Sequence, residues 1–122
     1  MGDVNRTAVR DFLLEVKNTI TKPPCNWQTW VLIPRKENRD CISELEFNSQ
    51  DVRDVILGLS VTDYCEGPVQ DRDKIGDFWV FGKVISDREV YIKLKLASLS
   101  ELKLVRVVSF HKASRPLCYP YK

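Results

Sequence analysis

From Glu89 the chain reads EVYIKLKL, and its side chains alternate without a break: Val90, Ile92, Leu94 and Leu96 on one side, Tyr91, Lys93 and Lys95 on the other. Successive strand residues point to opposite faces, so this segment fits a strand with one apolar face and one solvated face. The apolar set requires a covering layer. The opposite set lines up a phenol and two ammonium groups, a row that serves equally well as a plain solvated surface.

The neighbouring segments extend the pattern. Phe78 to Ile85 reads as a strand, Ser86-Asp87-Arg88 as a turn, Ala97 to Leu102 as a second turn and Lys103 to Phe110 as a last strand. Short connections between consecutive strands imply an antiparallel meander. In the last strand, burial assigns Val105 and Val107 to the core, because the opposite choice sends Arg106 inside. Arg106 then joins Lys93 and Lys95, but His111 acquires core-side parity. A bulge, or a strand that ends at Phe110, would free the imidazole to turn toward the basic face. Both arrangements stay open.

Upstream, Val9, Phe12, Leu13, Val16 and Ile20 recur at three- and four-residue steps, which predicts a helix from Thr7 to Ile20, capped by Asn5 or Thr7 and ended by Pro23-Pro24. Trp27 to Ile33 reads as a strand; its two tryptophans suit sheet packing or a base-stacking platform. PRKENRD (34–40) reads as a polar turn, and 41–47 is ambiguous. A second helix starts near Ser49, with Val52, Val55, Ile56 and Leu59 as its apolar face and Asn48 or Ser49 as its cap. Ser60-x-x-Asp63 fits a one-turn helix or a capped turn. Residues 65–77 (CEGPVQDRDKIGD) read as a Gly/Pro/Asp loop, either functional or unstructured. The expected fold is α+β, a single domain over 1–122 with N-terminal helices packed on a small antiparallel sheet that ends in a three-stranded meander.

Length and composition are those of one soluble globular domain. No apolar run approaches a membrane span, and MGDVNRTAVRDF has no signal core, so the expected location is the cytoplasm, with no membrane partner. The four cysteines, at 25, 41, 65 and 118, form no C-x-x-C pair. Free, mostly buried thiols are expected, with neither a zinc site nor a disulfide. Charge is unevenly placed. Residues 88–122 hold eight Lys/Arg against two acids, a net of +6, whereas residues 1–87 hold eleven against fifteen, a net of −4. Such a split implies an anionic partner for the basic part.

The basic part also carries the only histidine, His111, followed by KASRPLCYPYK. Prolines keep that tail extended; Lys112 and Arg115 suit phosphate, and Tyr119 suits base stacking or packing. Cutting RNA without a metal needs a base for the 2′-hydroxyl proton, an acid for the departing 5′-oxygen and fixed cations around the phosphorane. Imidazole serves either proton step. Tyr91, Lys93 or Glu66 can supply the second proton group. Lys93, Arg106 and Arg115 suit the charge-stabilising task, with Lys95, Lys83, Lys112 and Tyr119 as further contacts to RNA. A lone histidine is as readily structural.

Several segments together resemble the MqsR-like toxins of bacterial type II toxin–antitoxin systems. They are VILGLSVTDYCEGPVQD, DFWVFGK, EVYIKLKL and VVSFHKASRPLCYPYK, with FLLEVK and PRKENRD upstream. The resemblance implies a RelE-like α+β fold, metal-independent mRNA cleavage that arrests growth, no cofactor, a cognate antitoxin as partner, and DNA contact only through the toxin–antitoxin complex. It also implies site roles for Tyr91, in the VY-L/I-K motif, and for His111, the basic residue directly after V-S-F. Glu66 and Val80 stand where the better-studied branch has a basic and a polar residue, and the RPLCYPYK tail extends past that branch's end. Those departures keep a second function open, a non-catalytic module that binds a partner protein or RNA. A stand-alone DNA-binding regulator fits poorly, since no helix-turn-helix with a basic recognition helix is apparent.

Overall fold

The computed structural model describes residues 5–22, 29–99 and 102–122. Within them lie helices α1 (Arg6–Thr21), α2 (Lys36–Glu44) and α3 (Ser49–Leu57), a one-turn 3-10 helix (Val61–Asp63), and strands β1 (Trp30–Leu32), β2 (Tyr64–Gln70), β3 (Asp77–Ile85), β4 (Arg88–Leu99) and β5 (Leu102–Lys112). The fold is α+β, with one five-stranded mixed sheet in the order β1-β5-β4-β3-β2. β1 runs parallel to β5, and the other neighbours are antiparallel.

The meander β3-β4-β5 forms as its alternation dictates. Val90, Ile92 and Leu94 of β4 and Val105, Val107 and Phe110 of β5 are fully buried. They pack against Val9, Leu13, Val16 and Ile20 of α1, Cys41 of α2, and Val52 and Ile56 of α3. The helices thus cover one face of the sheet. Asn5 caps α1 by accepting the Ala8 N–H, and Asn48 with Asp51 forms a reciprocal capping box on α3. The Asp63 carboxylate accepts the Ser60 N–H at the 3-10 turn. Ser86 and Asp87, both with positive φ, make the two-residue β3–β4 hairpin.

Two sequence expectations are corrected. PRKENRD is not a turn: α2 starts inside it, at Lys36. The helix buries only Asn38 and Cys41, so it shows no apolar stripe to read. Most of residues 65–77 are not a loop either, because β2 covers Tyr64–Gln70 and only a short turn remains before β3. Its glycine and proline are tolerated because β2 is an edge strand broken by register shifts. The sheet therefore has two more strands than the meander, one of them parallel. Trp27, Cys25 and the Pro23-Pro24 helix stop lie outside the described residues, as does part of the 97–102 turn; Trp30 is half-buried and packs on the core.

No described helix is long and apolar enough to cross a membrane. Cys41, Cys65 and Cys118 are free thiols, and Cys41 alone of these is buried. Among the described residues no group of three or more His, Cys, Asp or Glu is placed to hold a metal ion.

Candidate nucleic-acid interface

The sheet face away from the helices carries the chemistry, and a bulge in β5 decides its composition. Register runs Lys93↔Ser109 and then Leu94↔Val107, so Val108 is the extra residue. The bulge shifts parity: Val105 and Val107 face the core, and beyond it Phe110 does too. Ser109 and His111 consequently point to the open face. Of the two arrangements left open by the sequence, the bulge is the one adopted.

α2 holds this bulge in place. Asn38 is fully buried. Its side-chain amide donates to the carbonyls of Val108 (3.1 Å) and Ile33 (2.9 Å), while its Oδ1 accepts the Phe110 N–H (2.8 Å). A bulge leaves backbone groups unpaired by the ladder, and buried ones need a partner. One side chain supplies partners on both sides of Ser109.

Three cross-strand rows make up the open face. In the first, Gly82, Tyr91 and His111 lie side by side, with the Tyr91 and His111 rings stacked 5.4 Å apart at 21°. His111 Nδ1 lies 3.1 Å from the Lys112 carbonyl. A carbonyl only accepts, so Nδ1–H is the donor in this contact, and in the neutral ring the lone pair then lies on Nε2. The second row is Glu66, Val80, Lys93 and Ser109. Lys93 Nζ sits 4.6 Å over the Phe78 ring. The third row is Phe78, Lys95 and Arg106.

Charge on this face differs from the expectation. Lys95 is 4% exposed and pairs with Asp71 at 2.7 Å, so it is neutralised within the fold rather than offered to a ligand. Gly76 makes that possible: its φ is +114°, and a Cβ there would meet Lys95 Cε at 2.7 Å. Lys93 and Arg106 have no carboxylate partner among the described residues. Arg35 joins them, a residue that periodicity cannot nominate because α2 carries no apolar stripe. From the N-cap of α2 it reaches Ser109 Oγ at 3.5 Å while pairing with Glu37 at 3.3 Å. The only sequence sign of it was its place in a short basic run.

Burial, aided by the nearby Glu66 and Cys65, pushes the Tyr91 hydroxyl up from its ordinary range, so it stays protonated and acts as a donor. The Cys65 thiol is pushed up to about 12, chiefly by burial and then by Glu89 and Glu66.

The remaining sequence candidates fall elsewhere. Lys83 has the parity of the buried Phe81, faces the helix side and pairs with Asp63 at 3.2 Å. Lys112 pairs with buried Val90 and points to the helix side of the sheet's end. Arg115 is exposed on the tail, apart from these rows. Tyr119 is no free stacking platform. Its hydroxyl donates to Glu89 Oε2 at 2.7 Å, and the Leu117 N–H donates to Glu89 Oε1 at 3.0 Å. Both side chains close over Gly82, where a Cβ would lie 2.3 Å from the Tyr119 oxygen and 2.6 Å from Leu117 Cδ1. Tyr121 then stacks on Tyr64 at 5.6 Å. The tail is thus a packed strap that borders the Tyr91–His111 pair.

No known protein family, curated protein or solved structure matches the chain.

Proposed function

We propose that the protein is a RelE-like toxin of the MqsR type, an endoribonuclease that cuts mRNA without a metal and thereby arrests growth. The observation that carries this reading is the stacked Tyr91–His111 pair beside Lys93, which has no carboxylate partner among the described residues, on the sheet face opposite the described helices. His111 Nε2 takes the 2′-hydroxyl proton, and the 2′-oxygen attacks phosphorus. The bond to the 5′-oxygen breaks, and the protonated Tyr91 hydroxyl supplies the proton to that leaving oxygen. Lys93, Arg106 and Arg35 hold the non-bridging oxygens as charge builds on the phosphorane. The products are a 2′,3′-cyclic phosphate and a 5′-hydroxyl. Glu66 lies near Tyr91 and helps to keep the phenol protonated. In this proposal a cognate antitoxin restrains the toxin in the cytoplasm, and DNA is met only through their complex.

A second reading, a toxin-like module that binds RNA or a partner protein without cutting, is favoured by two observations. Glu66 places an acid near Tyr91, and Lys95 is already neutralised by Asp71. Incubating the purified protein with mRNA in EDTA separates the two. Cleavage leaving 5′-hydroxyl ends, abolished in His111→Ala and reduced about 10²–10⁴-fold in Tyr91→Phe, supports the nuclease. Intact RNA with retained binding supports the module. In cells, induction should halt growth, and an antitoxin encoded beside the gene should restore it.

A further inference from the structure

His111 borders two surfaces. One is the open face; the other is a groove of about 300 Å³ at the end of the sheet, where β4 begins, β5 ends and α2 packs against them. This volume is at the small end for a ligand site and suits one flat ring system rather than a larger molecule. The groove's buried lining is apolar, Val90 and Cys41. The rest of its lining mixes acceptors and donors: Glu37, Asp40 and Glu44 from α2, with Arg88, Lys112 and Ser114.

We propose that this groove holds the nucleobase next to the scissile linkage and selects bases that carry an amino group over uracil. Its place beside a scissile linkage rests on the nuclease reading. The pocket itself rests on its own geometry. Carboxylates only accept hydrogen bonds, so Asp40 and Glu44 match the amino groups of cytosine, adenine or guanine, whereas uracil offers a single ring N–H. Among the described residues both acids sit in exposed ion pairs, Asp40 with Lys36 at 2.7 Å and Glu44 with Arg88 at 3.2 Å. Such pairs are weak and exchange readily for a ligand contact. Lys112 at the rim complements the base's own phosphate. Because His111 lines the groove and stacks on Tyr91, a base seated there lies next to the Tyr91–His111 pair.

Two measurements on the full chain test this. Amide shifts are followed by NMR as AMP, CMP, GMP or UMP is added, and cleavage sites are mapped on mRNA for wild type, Asp40→Asn and Ser114→Trp. We expect shifts at Val90, Lys112 and Ser114 with AMP, CMP and GMP, and binding of UMP at least about fivefold weaker. Asp40→Asn should lower the cleavage preference for amino-bearing bases over uracil about tenfold, and Ser114→Trp, which fills the groove from its rim, should erase the nucleotide-induced shifts. Groove shifts without any RNA cleavage would uphold the pocket and sink the nuclease reading. Cleavage whose base preference neither variant changes, with shifts confined to Lys93 and Arg106, would overturn the pocket and leave the nuclease standing.

Discussion

Replacing Asn38 by alanine removes the one side chain that satisfies both sides of the β5 bulge. Three hydrogen bonds go, to Ile33, Val108 and Phe110. The Phe110 amide is fully buried, and Val108 is the residue the ladder leaves out. Leaving the buried Phe110 N–H unpaired costs about 1–3 kcal/mol, and the half-buried Val108 carbonyl adds about 1 kcal/mol more, so the two together cost about 2–4 kcal/mol. That is a large share of the 5–15 kcal/mol typical of a domain. With a urea m-value of about 1.5 kcal/mol/M, a loss of about 3 kcal/mol lowers the midpoint by about 2 M. Tryptophan fluorescence during urea unfolding reads the midpoint. The single histidine gives a second, unambiguous readout: the His111 ring protons should lose the upfield shift caused by stacking on Tyr91. Asn48→Ala provides the comparison, since losing a helix cap costs about 1 kcal/mol and leaves the bulge alone. A loss in Asn38→Ala below that of Asn48→Ala, with the His111 ring shifts unmoved, would refute the claim that Asn38 holds the imidazole on the open face.

Other consequences follow from the same geometry. The hydrogen bond from Lys95 holds the Asp71 carboxyl below its ordinary range, so this group's contribution to stability is complete above the unfolded value near 3.9 and is lost as pH falls through the folded one. The stability gap between wild type and Asp71→Asn should therefore be constant from about pH 5 to 7 and should shrink in more acidic urea titrations. Gly82→Val should drive Tyr119 and Leu117 off the sheet, and trypsin should then cut after Lys112 faster than in wild type. With its thiol pushed up to about 12 and half-buried, Cys65 should react with iodoacetamide at pH 8 far more slowly than exposed Cys118, as peptide mass mapping would show.

What could be read in advance follows from how each residue earns its place. α1, α3 and the three-stranded meander announce themselves because their apolar residues repeat at the period of their own backbone. The row of Tyr91 and Lys93 is legible for the same reason. α2 and β2 are not. A helix that buries an asparagine and a cysteine has no stripe, and an edge strand that contains glycine and proline reads as a loop. Of the expected cations, Lys95 is claimed by Asp71 from the turn before β3, and Lys83 by Asp63 from the 3-10 turn. Both acids are distant in sequence, 24 and 20 residues away, so the pairing leaves no local trace.

Local alternation in β4 determined by itself that Tyr91 and Lys93 share a face opposite the core. The position of His111 is another matter, since parity alone would turn it inward. The extra residue at Val108 reverses that parity, and it is stable because a helix from another part of the chain brings an amide to its orphaned backbone groups. Periodicity is a property of neighbours along the chain, whereas satisfaction of a buried carbonyl and N–H is a property of whatever packs against them; the imidazole's direction depends on the second.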